Sequence, residues 1–272
     1  MLADLLEGTG LTDTSGLVYH YTRASAALEG ILESMTMRLT PVSDGNDPWE
    51  SRTQAAGFHA EGEEGFPPDL FASLDRRVRR ARRACFCRDD PDCPLDGLRR
   101  DYAKSCYGWA RDRMWGQYAD AHRGVCLWFN RDKLQQSARE ALGLLGECIA
   151  AEVTYPDDDW PPKSQAIDMV ALRDLGEEAY LRRQARWRFF EKRKDWEGER
   201  EYRILLLPAE GNPVAQVPIA TSLVAIIIGH HFGRAYQPCI DAICERAKIK
   251  ARRLLYSPHP HLTDCRNRSV TL

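Results

Sequence analysis

An α+β fold in one domain is what this sequence predicts, and three observations carry it. Runs of β-branched and aromatic residues alternate loosely with amphipathic segments, and the strands late in the chain are short. No internal repeat or low-complexity linker interrupts the 272 residues. That length admits one large domain or two small ones, and it can bury a sizeable core.

Residues 1 to 15 read as a short helix followed by a polar turn. Leu17 to Thr22 (LVYHYT) has the residues that suit a pleated, half-buried surface and reads as a strand. Ser25 to Met35 places Ala27, Leu28, Ile31, Leu32 and Met35 at helical spacing. Met37 to Leu39 is a short strand, Pro41 to Pro48 a turn-rich loop, and residues 51 to 66 are Gly-rich, acidic and without pattern. A helix follows from Asp69 to Arg83, then a buried strand from Ala84 to Cys87 and a loop from Arg88 to Gly97 rich in Asp and Pro. Residues 98 to 121 read as helical, Val125 to Phe129 as a strand, and Lys133 to Leu145 as an amphipathic helix. Cys148 to Tyr155 is a strand, Asp157 to Pro162 a loop, and Ala166 to Lys192 one long helical stretch. Strands are expected at Glu199 to Leu207, Val214 to Pro218 and Val224 to Gly229, a helix over 235 to 248, and a final strand at Lys250 to Tyr256.

Composition narrows the function classes. Hydrophobic residues at 43%, charged residues at 29% and a net charge of -2 give no global attraction to nucleic acid or membrane, so any electrostatic partner must be met by a local patch. The start MLADLLEGTG lacks the basic-then-apolar pattern of a signal peptide, and the longest apolar run, Leu223 to Gly229, is too short to span a bilayer. A soluble, cytoplasmic protein with no membrane partner is therefore expected. Nine cysteines, an odd number, argue for reduced thiols used as small apolar residues. Cys85, Cys87 and Cys93 are too irregularly spaced for a zinc knuckle, and no metal is expected.

Two segments carry chemistry. Residues 76 to 83 (RRVRRARR) hold six arginines in eight positions. They are either a solvated helix face or, through Arg76, Arg79, Arg80 and Arg83, a patch for the phosphates of DNA, RNA or a nucleotide. Trp196 to Arg203 (WEGEREYR) places Glu199 and Glu201 two apart before an apolar run, which on an extended segment puts both on one face. Two such acids repel unless a cation or a sugar hydroxyl lies between them. The bland alternative is a charged strand edge.

Three stretches stand out together: V-Y-H-Y-T with S-D-G-N-D-P-W-E after it, M-W-G-Q-Y-A-D-A-H-R-G-V-C-L-W-F, and W-E-G-E-R-E-Y-R. In this order they resemble a bacterial family catalogued as domain of unknown function 2971, over roughly residues 17 to 230. More weakly, the layout is similar to the ADP-ribosyltransferase fold. That resemblance implies a split, mainly antiparallel sheet flanked by helices, with NAD bound as a substrate. The Arg-rich helix near 69–83 would then be an insertion, and residues 235–272 a C-terminal extension of one domain spanning 1–272.

The same resemblance implies roles. His20, with Tyr21 and Thr22 beside it, would hold the adenosine-side ribose or a phosphate. Tyr118, with Trp115 one turn earlier, would lie against nicotinamide. Glu201 would contact the nicotinamide ribose as the catalytic carboxylate, with Glu199 as its helper. The Ser-Thr-Ser segment of arginine-modifying members is missing, which favours the Tyr-type arrangement. The local alternatives are plain ones: His20 as a hydrogen-bonded core residue, Tyr118 and Trp115 as packing, Asn46, Asp47 and Glu50 as turn or helix caps. By the same reading His122 and Gly124 end a helix, and His230 and His231 line a cleft or a loop surface.

The expected activity is transfer of ADP-ribose to a macromolecular acceptor, nucleic acid included, or hydrolysis of NAD, in the service of a toxin or of anti-phage defence. A binding module for nucleotides or nucleic acid without catalysis is the alternative. A metal-dependent nuclease would need more convergent acids than these segments offer.

Overall fold

The computed structural model describes residues 2–11, 14–47, 50, 68–91, 106–157, 168–211, 213–256 and 260–265. The strands, in chain order, are β1 (Leu17–Thr22), β2 (Thr36–Arg38), β3 (Thr40–Pro41), β4 (Arg82–Cys87), β5 (Val125–Asn130) and β6 (Gly146–Glu152). They continue with β7 (Glu201–Pro208), β8 (Gln216–Pro218), β9 (Leu223–Ile228), β10 (Lys250–Tyr256) and β11 (Pro260–Asp264). The α-helices are α1 (Leu2–Leu6), α2 (Pro68–Arg80), α3 (Asp112–Tyr118), α4 (Arg131–Leu142), α5 (Met169–Leu175), α6 (Glu177–Phe190) and α7 (Gln237–Ala247). The fold is mixed α+β with mainly antiparallel pairing. The patternless stretch at 51 to 66, the loop after residue 91 and the expected helix start at 98 lie outside the described residues.

The chain forms two compact units, each discontinuous in sequence. The first comprises Met1–Met37, Cys85–Glu140 and Val217–Leu272. Its strands run in the order β11, β10, β9, β5, β1, β4. β1 and β5 pair antiparallel from Leu17 opposite Asn130 to Thr22 opposite Val125. β5 pairs antiparallel with β9, and β10 lies parallel to β9, as the crossover helix α7 between them allows. Every residue of β5 and of β9 is buried, which explains their unbroken apolar runs. Aromatic residues fill the core beside them: Tyr19 meets Trp128 edge-on at 5.5 Å, and Trp109, Trp115 and Tyr21 complete the cluster. The C-terminal segment is integral to this unit, because Leu254 and Leu262 are part of that core.

The second unit comprises Arg38–Ala84 and Ala141–Gln216. β6 and β7 pair antiparallel from Gly146 opposite Pro208 to Glu152 opposite Tyr202. Leu74 and Val78 of α2 pack with Leu172, Tyr180, Phe189, Phe190 and Leu205, so the Arg-rich helix is part of this unit's core.

Several expected boundaries move for local reasons. The long helix over 166 to 192 is two, broken at Gly176, whose φ of 75° is left-handed and whose N–H closes the preceding turn on Leu172 O. The Arg-rich helix ends at Arg80, and Arg82 and Arg83 belong to β4, pairing with Pro41 and Thr40 of β3. The helix at 25 to 35 contains a π-helical segment, Ala26–Leu32. β11 is a hairpin partner that its Pro- and His-containing sequence conceals. Cys85, Cys87, Cys126, Cys148, Cys239, Cys244 and Cys265 are free thiols. Cys106 is disulfide-bonded, which corrects the expectation of reduced thiols throughout. Cys93 lies outside the described residues. Among the described residues no helix is long and apolar enough to cross a membrane.

Candidate functional site

The second unit buries an ionic network around Glu201, the first residue of β7. Arg203 lies two residues on and therefore on the same face of the strand. Its Nε donates to Glu201 Oε1 at 2.5 Å and its Nη2 to Oε2 at 2.9 Å, a two-point grip. The same guanidinium donates through Nη1 to Phe189 O at 2.5 Å, and through Nη2 to Glu50 Oε1. Lys192, just beyond α6, sets its Nζ 2.8 Å from Glu199 Oε2 and 2.9 Å from Glu201 Oε2. Arg83 of β4 completes the set, its Nη1 2.7 Å from Glu50 Oε2. Three carboxylates and three cations thus balance, and all six side chains are at most 7% exposed.

Charge here survives burial because it is paired. Burial opposes the Glu201 anion, but Arg203 and Lys192 prevail and hold its carboxyl well below the usual carboxylate range. Burial likewise opposes the Lys192 cation, and Glu201, Glu50 and Glu199 together keep its ammonium well above the ordinary lysine range. Tyr155 accepts the Glu201 backbone N–H at 3.0 Å, and burial followed by the Glu201 charge raises its phenol. Lys192 Nζ also stands 5.1 Å from the centre of the Trp196 ring, a cation–π contact.

The two acids do not share a strand face, as their spacing suggests. Glu199 ends a 3-10 turn over Lys194–Glu199, Arg200 takes a left-handed conformation with φ 45°, and the strand begins only at Glu201. The backbone reversal at Arg200, together with Lys192, brings the carboxylates to one cation. The cation that two adjacent acids require is thus Lys192, a residue whose sequence position does not mark it for that role. Glu50, read there as a cap, is the second missed member. The only sequence signal for it is its place in the N-D-P-W-E stretch.

The residues expected to hold NAD lie in the first unit and divide between the two faces of β1. His20 donates from Nδ1 to Cys85 O at 2.9 Å, which leaves Nε2 unprotonated in the neutral ring. Burial lowers its pKa, so the imidazole is neutral at pH 7. Thr22 shares its face. Tyr21 points to the other side, donates to Gly108 O at 2.5 Å and meets Trp115 edge-on at 5.2 Å. Trp115 is fully buried and donates its indole N–H to Trp109 O at 2.8 Å. Tyr21 and Trp115 are therefore core residues, and Trp115 has no open ring face on which nicotinamide could stack. Tyr118, at the end of α3, is half-buried against the same core.

The arginine patch is smaller than its sequence. Arg76, Arg79 and Arg80 are exposed on α2, and Arg79 pairs with Asp75 one turn earlier at 2.7 Å. Arg83 leaves the patch, because it sits on a strand and is buried against Glu50. Among the described residues no group of three or more His, Cys, Asp or Glu is placed to hold a metal ion.

Fold and site together define an α+β protein with a buried, charge-balanced network at the start of a strand. Residues 114–204 match the model of the family described as "Protein of unknown function (DUF2971)", and over that segment the motif resemblance holds. The matched segment takes in α3 from Met114 on, β5 and the Lys192–Glu199–Glu201–Arg203 cluster. No curated protein and no solved structure matches the chain.

Proposed function

We propose that the chain is an NAD-using enzyme of the ADP-ribosyltransferase type, transferring ADP-ribose to a macromolecular acceptor or hydrolysing NAD, with Glu201 as its catalytic carboxylate. One observation carries this reading: Glu201 opens a strand as a buried carboxylate held by Arg203 and Lys192. Cleavage breaks the bond between ribose C1′ and the pyridinium nitrogen, whose electron pair leaves with nicotinamide. The sugar becomes oxocarbenium-like until a nucleophile bonds to C1′. A desolvated anion fixed beside that sugar stabilises the developing charge more strongly than a hydrated one. Glu199, joined to Glu201 through Lys192, would take the proton that the nucleophile gives up. The exposed arginines Arg76, Arg79 and Arg80 favour a nucleic-acid acceptor. By analogy of fold alone, such an activity fits a bacterial toxin or anti-phage effector.

A non-catalytic nucleotide- or nucleic-acid-binding module is the second reading, and a specific observation favours it. Both Glu201 oxygens and one of Glu199 already bond to Arg203 and Lys192, so a ribose hydroxyl must compete with these ion pairs. Nicotinamide release from NAD decides between the two, measured with and without cell extract or oligonucleotide. Release by the wild type, lost in a folded Glu201→Gln variant, supports the enzyme. No release under any of these conditions leaves the binding module.

A further inference from the structure

Five polar side chains from four stretches of the first unit converge in a way the proposed chemistry does not use. His122 follows α3, His230 and His231 follow β9, Tyr256 ends β10 and Asp112 begins α3. The His230 and His231 rings are 4.7 Å apart, His231 is 6.3 Å from His122, and Tyr256 is 5.5 Å from His122 and 5.8 Å from His230. Tyr256 donates its hydroxyl to Asp112 Oδ1 at 2.7 Å. The Tyr256 oxygen then accepts from His122 Nδ1 at 3.3 Å, which fixes the ring's tautomer and leaves Nε2 as its remaining polar atom.

The backbone is strained to hold this arrangement. Asp120, Ala121 and His122 are all left-handed, with φ of 49°, 48° and 67°. For three successive residues with side chains this is a costly conformation, of the kind found at functional sites. The turn is closed by His122 N–H on Trp115 O at 3.2 Å, and His122 O accepts His231 N–H at 3.0 Å. Gly229 is needed where these segments touch, since a Cβ there would stand 2.1 Å from His122 O.

Charge indicates what such a cluster takes. Facing it are His122, His230 and His231, then Arg253, which donates to Gly229 O at 3.4 Å and to Gln237 Oε1 at 3.2 Å, with Arg234 acting on Arg253 in turn. Asp112, the acid that acts on His122, is already engaged by Tyr256. Burial first, and then their mutual repulsion, lowers the pKa of both His122 and His230, with Asp112 alone acting the other way on His122. An anion placed among them would relieve that repulsion. A phosphate group suits the set best, because its second proton titrates in the imidazole range and it offers three acceptor oxygens.

We infer that His122, His230 and His231, backed by Arg253, form a binding site for a phosphate-bearing small molecule. His231, exposed in the structure, is the entry side of the site, and the Asp112–Tyr256 pair positions His122.

The ring signals of the three histidines, followed by NMR in the full chain, test this with inorganic phosphate and with adenosine monophosphate as probes. The expected result is a rise of roughly half a pH unit or more in the histidine pKa values at millimolar probe. Binding should be tighter at pH 6 than at pH 8, the direction expected of an imidazole cluster that holds an anion. His122→Gln should weaken binding about tenfold. His231→Gln, at an exposed position, does the same without burdening folding. Tighter binding of the nucleotide assigns a nucleoside contact as well, and equal binding assigns the phosphate alone. Unmoved histidine signals with both probes, or full affinity in His231→Gln, overturn the site. These readouts do not depend on NAD cleavage, so the two readings fail separately.

Discussion

Arg203 grips Glu201 at both carboxylate oxygens, Nε to Oε1 at 2.5 Å and Nη2 to Oε2 at 2.9 Å, inside a unit that excludes water from both. The pair is held as much by its neighbours as by itself. Arg203 also serves Glu50 and Phe189 O, and Glu201 also serves Lys192. Removing one member strands several charges at once, whereas removing a matched pair strands fewer.

Arg203→Met should therefore cost about 3–5 kcal/mol, because it leaves Glu201 and Glu50 short of a buried partner. Adding Glu201→Leu to that variant should recover part of the loss rather than add to it. Urea denaturation of the two single variants and the double variant gives the coupling directly. Additive losses would mean that the four contacts of Arg203 are not energetically linked.

Stability should depend on pH through the same groups. The folded Glu201 carboxyl lies below its unfolded value, so as pH falls the unfolded chain takes up the proton first. Its contribution is complete above about pH 5 and drains away below that. Lys192 lies above its unfolded value, so its contribution is complete below about pH 10 and is lost as pH rises further. Midpoint temperatures measured from pH 3 to 11 should fall at both ends, and Glu201→Gln should flatten the acid limb. An unchanged acid limb in that variant would assign the pH dependence to other carboxylates.

The arginines of α2 and β4 separate by salt dependence. Replacing Arg76, Arg79 and Arg80 by Gln should leave stability within about 0.5 kcal/mol, since all three are exposed. The salt slope of any oligonucleotide binding should fall by up to about 3. Arg83→Gln should instead destabilise the fold, as its charge is buried against Glu50. A salt slope unchanged by the triple replacement would show that this helix face is merely solvated.

What the sequence made legible follows the range of the interaction. β1, β5, β9 and β10 were readable because their residues alternate or run apolar over six or seven positions, and α7 because its period is local. Pairing of Glu50 with Arg203, 153 positions apart, leaves no trace in local spacing. Arg82 and Arg83 read as helix by continuity of charge, yet strand pairing with Pro41 and Thr40 claims them. Glu199 and Glu201 were found together for the wrong reason, since a left-handed Arg200 and a shared lysine join them rather than the pleat of a strand. Tyr21 stands beside His20 and Thr22 in the sequence, but period two already separates it from them.

Gly124 gives the most local test of the strained turn. Its sequence position after His122 suggests a left-handed cap, but the left-handed residues are Asp120, Ala121 and His122, and Gly124 is not among them. What it provides is room: a Cβ there would lie 2.1 Å from Thr22 O and 3.0 Å from the Ala119 backbone, neither of which is a flexible side-chain end. Gly124→Ala must therefore move β1 away from the turn and should cost about 1–3 kcal/mol. Gly116 is the control, exposed within α3 with nothing within 4 Å of an added Cβ. Gly116→Ala should stabilise by about 0.5–1 kcal/mol through the entropy of the unfolded chain. Thermal or urea unfolding of the two variants should give opposite signs, and a neutral Gly124→Ala would mean that the turn and β1 are free to separate.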